Sequence, residues 1–369
     1  MTEPQIEIQL IAAIVAIACA LPGVFLVLRR VALMSDAISH AILLGIVLAF
    51  FVIQDLNSPL LIIAAAATGV VTVALVELLE RTRLVREDAA IGLVCPLLFS
   101  LAVILISRFA GDVHLDTDAV LLGELAFAPF DRFVMFGYDL GPQALIVMLA
   151  ILGLILLFIG LFYKELKLST FDAGLAAALG FAPVLLHYGL MSLVSITAVG
   201  AFNAVGSVLV VALMIAPPAA AYLLTDRLPV MLGLSALIGV ASAISGYWVA
   251  HALDISIAGT MATMTGVFFL LALLFAPQRG LLAVAQRRVR QKSEFAQTML
   301  AIHLLNHEGT PENDEERRVA HLQGHLRWQP DFAEQIVRQA QGRGLIQREA
   351  DQLALTESGR RLAQQALVQ

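Results

Sequence analysis

The residues best suited to chemistry in this chain are Asp36 and His40, in the run Ser35-Asp36-Ala37-Ile38-Ser39-His40-Ala41. Four apart on a helix, they share one face with Cβ atoms about 5–6 Å apart. A carboxylate and an imidazole suit divalent transition metals, the carboxylate favouring Mn²⁺ and Fe²⁺ and the imidazole accepting Zn²⁺ as well. An Asp at the centre of a bilayer costs about 2.5–3.5 kcal/mol on insertion scales, so an Asp–His face inside a membrane requires a partner, a cavity or an ion. A structural Asp–His hydrogen bond near the membrane surface is the other reading, because Arg29 and Arg30 lie close by. Two donors do not complete a transition-metal shell, which usually takes four or more. A metal site here is therefore shared, either between two copies about a two-fold axis or with a related chain.

Four of the eight histidines form two further pairs at the same spacing, His303/His307 and His321/His325. Each pair can place two imidazoles on one metal, and the expectation is a cytoplasmic regulatory site that damps activity when metal is replete. Histidines on solvated helix faces would give the same spacing. His187 and His251 have no carboxylate at helical spacing that completes a ligand set and read as packing or interface groups. The acids and His114 in the segment 108–141, Glu124 among them, read as solvated loop charges.

The elements that hold Asp36 and His40 follow from composition. Of 369 residues, 59% are apolar and 14% charged, with a mean hydropathy of +0.86. Soluble domains carry about 45–50% apolar and about 25% charged residues, so the chain is not water-soluble throughout. Apolar runs of membrane-spanning length fall near 8–28, 37–53, 59–79, 89–107, 143–163, 183–200, 204–224, 229–250 and 256–276. This predicts an all-α polytopic membrane domain of about nine helices over residues 1–277. The first run is too long for a signal-peptide core and is preceded by Glu3 and Glu7, so it reads as a span. Basic residues follow every second run: Arg29 and Arg30, then Arg81, Arg83 and Arg86, then Lys164 and Lys167, then Arg227, then Arg279. Positive charge collects on the cytoplasmic side, which predicts a bacterial inner-membrane protein with its N-terminus outside and its C-terminus inside. Gly45, Gly69, Gly206 and the pair Pro217-Pro218 inside the runs permit close helix approach and kinks. Cys19 and Cys95 lie in apolar runs and read as core residues rather than a disulfide.

The run Gly23-Val24-Phe25-Leu26-Val27-Leu28-Arg29-Arg30, followed by Ser35 to Ala41, resembles the signature of the ABC-3 family, the permeases of manganese, zinc and iron ABC importers. Two further blocks agree. Lys164-Glu165-Leu166-Lys167 with Phe171, Asp172, Leu175 and Gly180 resembles that family's cytoplasmic coupling helix, and Gly200 through Ala221, with its Pro217-Pro218, resembles the late helix. The resemblance implies that Asp36 and His40 take part in coordinating the transported Mn²⁺, Fe²⁺ or Zn²⁺. It also implies a separate ATP-binding subunit, an extracytoplasmic metal-binding protein and a second permease, identical or paralogous. Ser39-His40 within the signature leans the expected cargo toward manganese and iron. No Gly-x-x-x-x-Gly-Lys-Ser/Thr loop occurs in the sequence, so no enzymatic activity and no resident cofactor are expected. A short helix is expected after the fifth span, capped by Ser169 or Thr170. Asp172 would lie at its positive end, Gly180 would close it, and Phe171, Leu175 and Leu179 would share a face that docks the ATPase. A helix lying on lipid would show the same pattern.

Residues 278–293 are a basic juxtamembrane stretch, and 294–369 have the composition of a small cytoplasmic domain. Residues 1–277 carry a formal charge of −8, against +2 for the remainder. Helices are expected over 294–307, with Phe295, Met299, Ile302 and Leu305 inward, from Thr310-Pro311, and from Gln329-Pro330 to about Gln341. A hairpin then flanks Glu349-Ala350-Asp351, and Thr356 caps a last helix. That order, and the run Leu353-Ala354-Leu355-Thr356-Glu357-Ser358-Gly359-Arg360-Arg361, resemble the winged helix of DtxR-type metal-dependent repressors. The third helix is neutral overall where a DNA reader is basic, so DNA is not an expected partner and the domain reads as regulatory. Two other functions compete with the permease. A membrane-tethered metal-sensing regulator would not need nine spans, and an intramembrane enzyme would need catalytic pairs that the spans lack.

Overall fold

A computed structural model describes residues 3–54, 59–109, 125–135, 138–308, 318–319, 322, 326–349 and 352–368. The chain divides into two compact units, Met1–Gly280 and Leu281–Gln369.

Continuous apolar sequence becomes continuous helix in the first unit, because in lipid only a helix satisfies every backbone N–H and C=O within its own segment. Its helices are α1 (Glu3–Leu28), α2 (Met34–Ile53), α3 (Pro59–Arg81), α4 (Glu87–Phe109), α5 (Gln143–Leu161), α6 (Tyr163–Phe171), α7 (Ala173–Ala178), α8 (Pro183–Leu224), α9 (Leu228–Leu253) and α10 (Ile257–Phe275). Among the described residues, nine segments are long and apolar enough to cross a membrane, and they fall on the nine expected runs. Two of them, Pro183–Phe202 and Ala204–Leu224, are the halves of α8. The helix is interrupted at Gly206, whose φ of 77° and ψ of 162° belong to a region that essentially only glycine occupies.

Helix α1 forms the centre of the bundle. Its most apolar window is 78% buried, against 22% for α4, α5 and α10, whose exposed Leu97, Ile104, Leu157 and Leu270 form a lipid-facing surface. Helix α1 packs on α8, α9 and α5, while α2 packs on α3, α4 and the same α8. The α2–α3 contact is close: a Cβ added to Gly45 would sit 2.7 Å from the Ala64 carbonyl oxygen. Many hydroxyls in the spans donate to the carbonyl four residues back, as Ser39 does to Ser35 and Thr72 to Thr68. This leaves them no unmet polarity in an apolar setting. Between α4 and α5, a two-stranded antiparallel hairpin joins β1 (Arg132–Met135) to β2 (Tyr138–Pro142), with an irregularity between Arg132 and Val134. Arg132 bridges Glu7 at 3.0 Å and Asp139 at 2.8 Å.

The second unit contains α11 (Leu281–Asn306), α12 (Pro330–Gly342), β3 (Ile346–Glu349), β4 (Gln352–Leu355) and α13 (Glu357–Val368). The stretch 281–293, read from its basic composition as a linker, is the first half of α11, which has no Gly or Pro to break it. The inward face of α11 also differs from the expected one. Phe295 is 69% exposed, while Ala296, Leu300 and Leu304 are buried against Ile336, Val337, Ala340 and Leu353. The buried stripe runs through Ala296, Leu300 and Leu304, one residue along from Phe295 and Met299. The third helix and the hairpin lie within a residue or two of expectation, and Thr356 caps α13 by accepting from the Gly359 N–H at 3.1 Å. The helix expected from Thr310-Pro311 lies outside the described residues.

Candidate metal-translocation site

Asp36 and His40 occupy the first two turns of α2. Asp36 Oδ1 lies 3.4 Å from His40 Nε2, and the side chains are 48% and 34% exposed respectively. With a rise of 1.5 Å per residue, His40 sits roughly 9 Å along a helix of roughly 30 Å. Ser35, Ala37, Ile38, Ser39 and Ala41 around the pair are buried, so the two donors are the polar part of α2 that faces out of this bundle. The Phe99 ring of α4 meets the His40 imidazole edge-on, with centroids 5.9 Å apart, and fixes its orientation. Among the described residues no group of three or more His, Cys, Asp or Glu is gathered to hold a metal. Within one chain Asp36 and His40 thus offer two donor side chains, partly exposed.

The segment expected to couple to an ATPase has a different local structure from the expected one. Asp172 itself is the N-cap of α7, extended at φ −150°, and its Oδ1 accepts from the Leu175 N–H at 2.8 Å. Gly180, at φ +85°, closes the segment: its N–H donates to Ala177 O, and the Phe181 N–H donates to Ala176 O, each at 3.0 Å. Ser169 and Thr170 belong to the preceding α6 and cap nothing. Phe171 therefore lies before the break at Asp172 and does not share one continuous helical face with Leu175 and Leu179. All three are exposed nevertheless, at 64%, 47% and 61%.

Ser169 and Thr170 instead accept hydrogen bonds from Arg29, in the turn between α1 and α2. Arg29 Nη2 donates to Ser169 Oγ at 2.9 Å and Nε donates to Thr170 Oγ1 at 3.1 Å. Its Nη1 lies 3.4 Å from His187 Nδ1 of α8. On the other edge of that imidazole, Nε2 lies 2.8 Å from Glu77 Oε1 of α3, off the line of a well-formed hydrogen bond. Glu77 Oε2 accepts from the Tyr188 hydroxyl at 2.7 Å. Burial pulls the Arg29 pKa down from its ordinary value. Arg29, Glu77, Glu80, Arg81, Ser169 and His187 border a cavity of about 710 Å³. Sequence reasoning missed this network. It took His187 as a packing group because its carboxylate comes from another helix, 110 positions away, and a spacing argument along one helix cannot find such a partner. Glu77, an acid near the end of an apolar run, was the available signal.

Of the remaining candidates, His303 and His307 have ring centroids 4.8 Å apart on α11. His321, His325, His114 and Glu124 lie outside the described residues. His251 is stacked on Tyr247 at 6.1 Å, beside Asp254, which is the C-cap of α9. Cys19 and Cys95 are free thiols.

The Asp36–His40 pair on α2, the capped segment after α5 and the broken α8 are the three blocks that carried the family resemblance, and the profile of the ABC 3 transport family matches residues 3–276. The chain belongs to this family. It is 50% identical over 361 residues to the zinc transport system membrane protein TroD of Treponema pallidum, covering 98% of each chain. It is 48% identical over 283 residues to the manganese transport system membrane protein MntD of Bacillus subtilis, covering 77% of this chain and 96% of MntD. The structure of PsaBC from Streptococcus pneumoniae in complex with Fab superposes with a TM-score of 0.64 at 28% identity, covering 77% of this chain and 96% of that one. The chain is thus a multi-pass membrane protein with the fold of ABC importer permeases.

Proposed function

We propose that this chain is the membrane permease of an ATP-driven importer of divalent transition metal ions, manganese or zinc. The observation that carries this reading is the Asp36–His40 pair, two metal donors 3.4 Å apart and partly exposed on the side of an otherwise apolar bundle. Two such pairs about a two-fold axis supply four side-chain ligands, enough for a transition-metal shell, and the second pair comes from another copy or a paralogue. A site open on one side binds strongly enough to select and releases when the subunits part. ATP is hydrolysed on a separate subunit that docks on the exposed apolar residues of α6 and α7 around the capped Asp172. The basic turns set that docking side in the cytoplasm of a bacterial inner membrane, with the N-terminus outside, and cargo arrives on an extracytoplasmic metal-binding protein. The names of TroD and MntD divide between zinc and manganese at similar identity, so the lean toward manganese and iron taken from Ser39-His40 has no support beyond manganese itself.

Helix, helix, hairpin and helix in the second unit support the winged-helix reading of residues 294–369 as a regulatory module. Its third helix is an unsuitable DNA reader, since Glu334 is paired with Arg348 at 2.6 Å and Arg343 with Gln297 at 3.0 Å. His303 and His307 are the regulatory metal ligands in this reading. The test of the permease reading is ATP-dependent accumulation of Mn²⁺ or Zn²⁺ in liposomes holding the chain with its ATP-binding subunit and second permease. Accumulation of neither metal while ATP is hydrolysed would refute it.

A further inference from the structure

The Asp36–His40 pair and the docking segment α6–α7 are far apart in sequence, and one side chain connects their elements. Arg29 ends α1: its N–H donates to Phe25 O at 2.9 Å, and the turn to α2 is held by Arg30 N–H to Val27 O, Val31 N–H to Leu26 O and Met34 N–H to Val31 O, at 3.1, 3.0 and 3.0 Å. Arg30 takes the left-handed conformation at φ 65°. This turn is short and held by these bonds, so a force on Arg29 is delivered to the first turn of α2, where Asp36 lies seven residues on. The guanidinium fork spends Nε and Nη2 on Thr170 and Ser169 at the end of α6 and Nη1 on the His187 imidazole of α8. His187 accepts at Nδ1 and so carries its hydrogen on Nε2, toward Glu77 of α3. A cation, a neutral imidazole and a carboxylate thus run in series from the turn to α3, while the two hydroxyls join that turn to α6. A half-buried fork of fixed planar geometry suits such a junction, because it holds several acceptors in one arrangement.

We propose that Arg29 is a positioning residue that couples the ATPase-docking segment to the metal-binding helix, so that movement of α6 shifts the first turn of α2 and with it the Asp36–His40 half-site. This rests on the permease reading and adds the route by which docking and hydrolysis reach the metal. Its parts are neutral hydroxyls on one side and an imidazole-bridged carboxylate on the other. The hydroxyl bonds, at 2.9 and 3.1 Å, move Arg29 with α6, whereas the longer contact to His187, backed by Glu77, registers Arg29 to the bundle.

The test is the number of Mn²⁺ or Zn²⁺ ions taken up per ATP hydrolysed by the complete complex in liposomes. Coupling between two sites in proteins is usually worth roughly 5- to 150-fold, and Arg29→Met is expected to lower this ratio about tenfold while ATP hydrolysis persists. Arg29→Lys, a point charge that cannot fork, falls between. Ser169→Ala with Thr170→Val leaves Arg29 in place and lowers the same ratio, which a merely structural role for the arginine would not predict. Arg30→Met, on the exposed neighbour, leaves the ratio unchanged. Transport and hydrolysis falling in parallel, or an unchanged ratio in the Ser169/Thr170 variant, would overturn the proposal, and that variant decides if Arg29→Met fails to assemble. A wild-type complex that hydrolyses ATP but imports neither metal refutes the permease reading instead.

Discussion

Replacing Gly206 by alanine and replacing Gly153 by alanine are the same substitution within spans, and they are expected to have opposite signs. Gly153 lies in regular α5, with nothing within 4 Å of an added Cβ. Alanine there gains the roughly 0.5–1 kcal/mol by which it exceeds glycine in a helix interior. Gly206 lies at φ 77° and ψ 162°, a region that costs a residue with a Cβ on the order of 1–3 kcal/mol. The two variants should therefore differ by roughly 1.5–4 kcal/mol, which is about tenfold to several hundredfold in the unfolding equilibrium at 1.4 kcal/mol per decade. Reversible denaturation of the purified chain in mixed micelles, followed by helical circular dichroism, measures both. Gly206→Ala as stable as the wild type, or more so, would mean that α8 runs unbroken through residue 206 and that the two spans do not meet at a glycine-only break.

Asp172→Ala should weaken docking of the ATP-binding subunit, since loss of an N-cap costs about 0.5–2 kcal/mol, at most roughly 30-fold in affinity. Asp172→Asn, an equally good cap, should cost little, and a binding titration of the ATP-binding subunit against the reconstituted permease separates the two. In the β1–β2 hairpin, the Gly141 N–H first and Arg132 second hold the Asp139 carboxyl below its ordinary pKa. The folded value lies below the unfolded one, so this stabilisation is fully present above the ordinary carboxylate pKa of about 3.9 and is lost as pH falls through the folded value. Amide exchange at Gly141, corrected for intrinsic rates, should accelerate below about pH 4 in the wild type. In Asp139→Asn it should show no such step.

The spans were legible because a period-free apolar run of about 20 residues has few alternatives to a membrane helix, and basic turns punctuate them. Asp36 and His40 were legible because both lie on one helix at a spacing that places them together. Local caps were read less well. Ser169 and Thr170 looked like N-caps by residue type, but a hydroxyl can serve a distant arginine as readily as a helix end, and Asp172 three residues later took the role. The Arg29–His187–Glu77 series was not legible at all, since it depends on how α1, α3 and α8 cross. In the second unit, the β3–β4 hairpin and α12 followed from their turn residues and Pro330. The inward face of α11 did not, because apolar residues flank the stripe on both sides and the packing of α12 and the hairpin selects which are buried.

In the permease reading, Asp36 and His40 form half of a metal site shared by two permease subunits. The most direct measurement is the stoichiometry of Mn²⁺ or Zn²⁺ held by the purified complex, by equilibrium binding with element analysis. The second unit carries His303→Ala, His307→Ala, His321→Ala and His325→Ala in both samples, to exclude metal held there. One metal per pair of permease subunits is expected, lost in Asp36→Asn with His40→Gln while the complex still assembles. An unchanged metal content in the double variant, or one metal bound per isolated permease chain through Asp36 and His40, would contradict it.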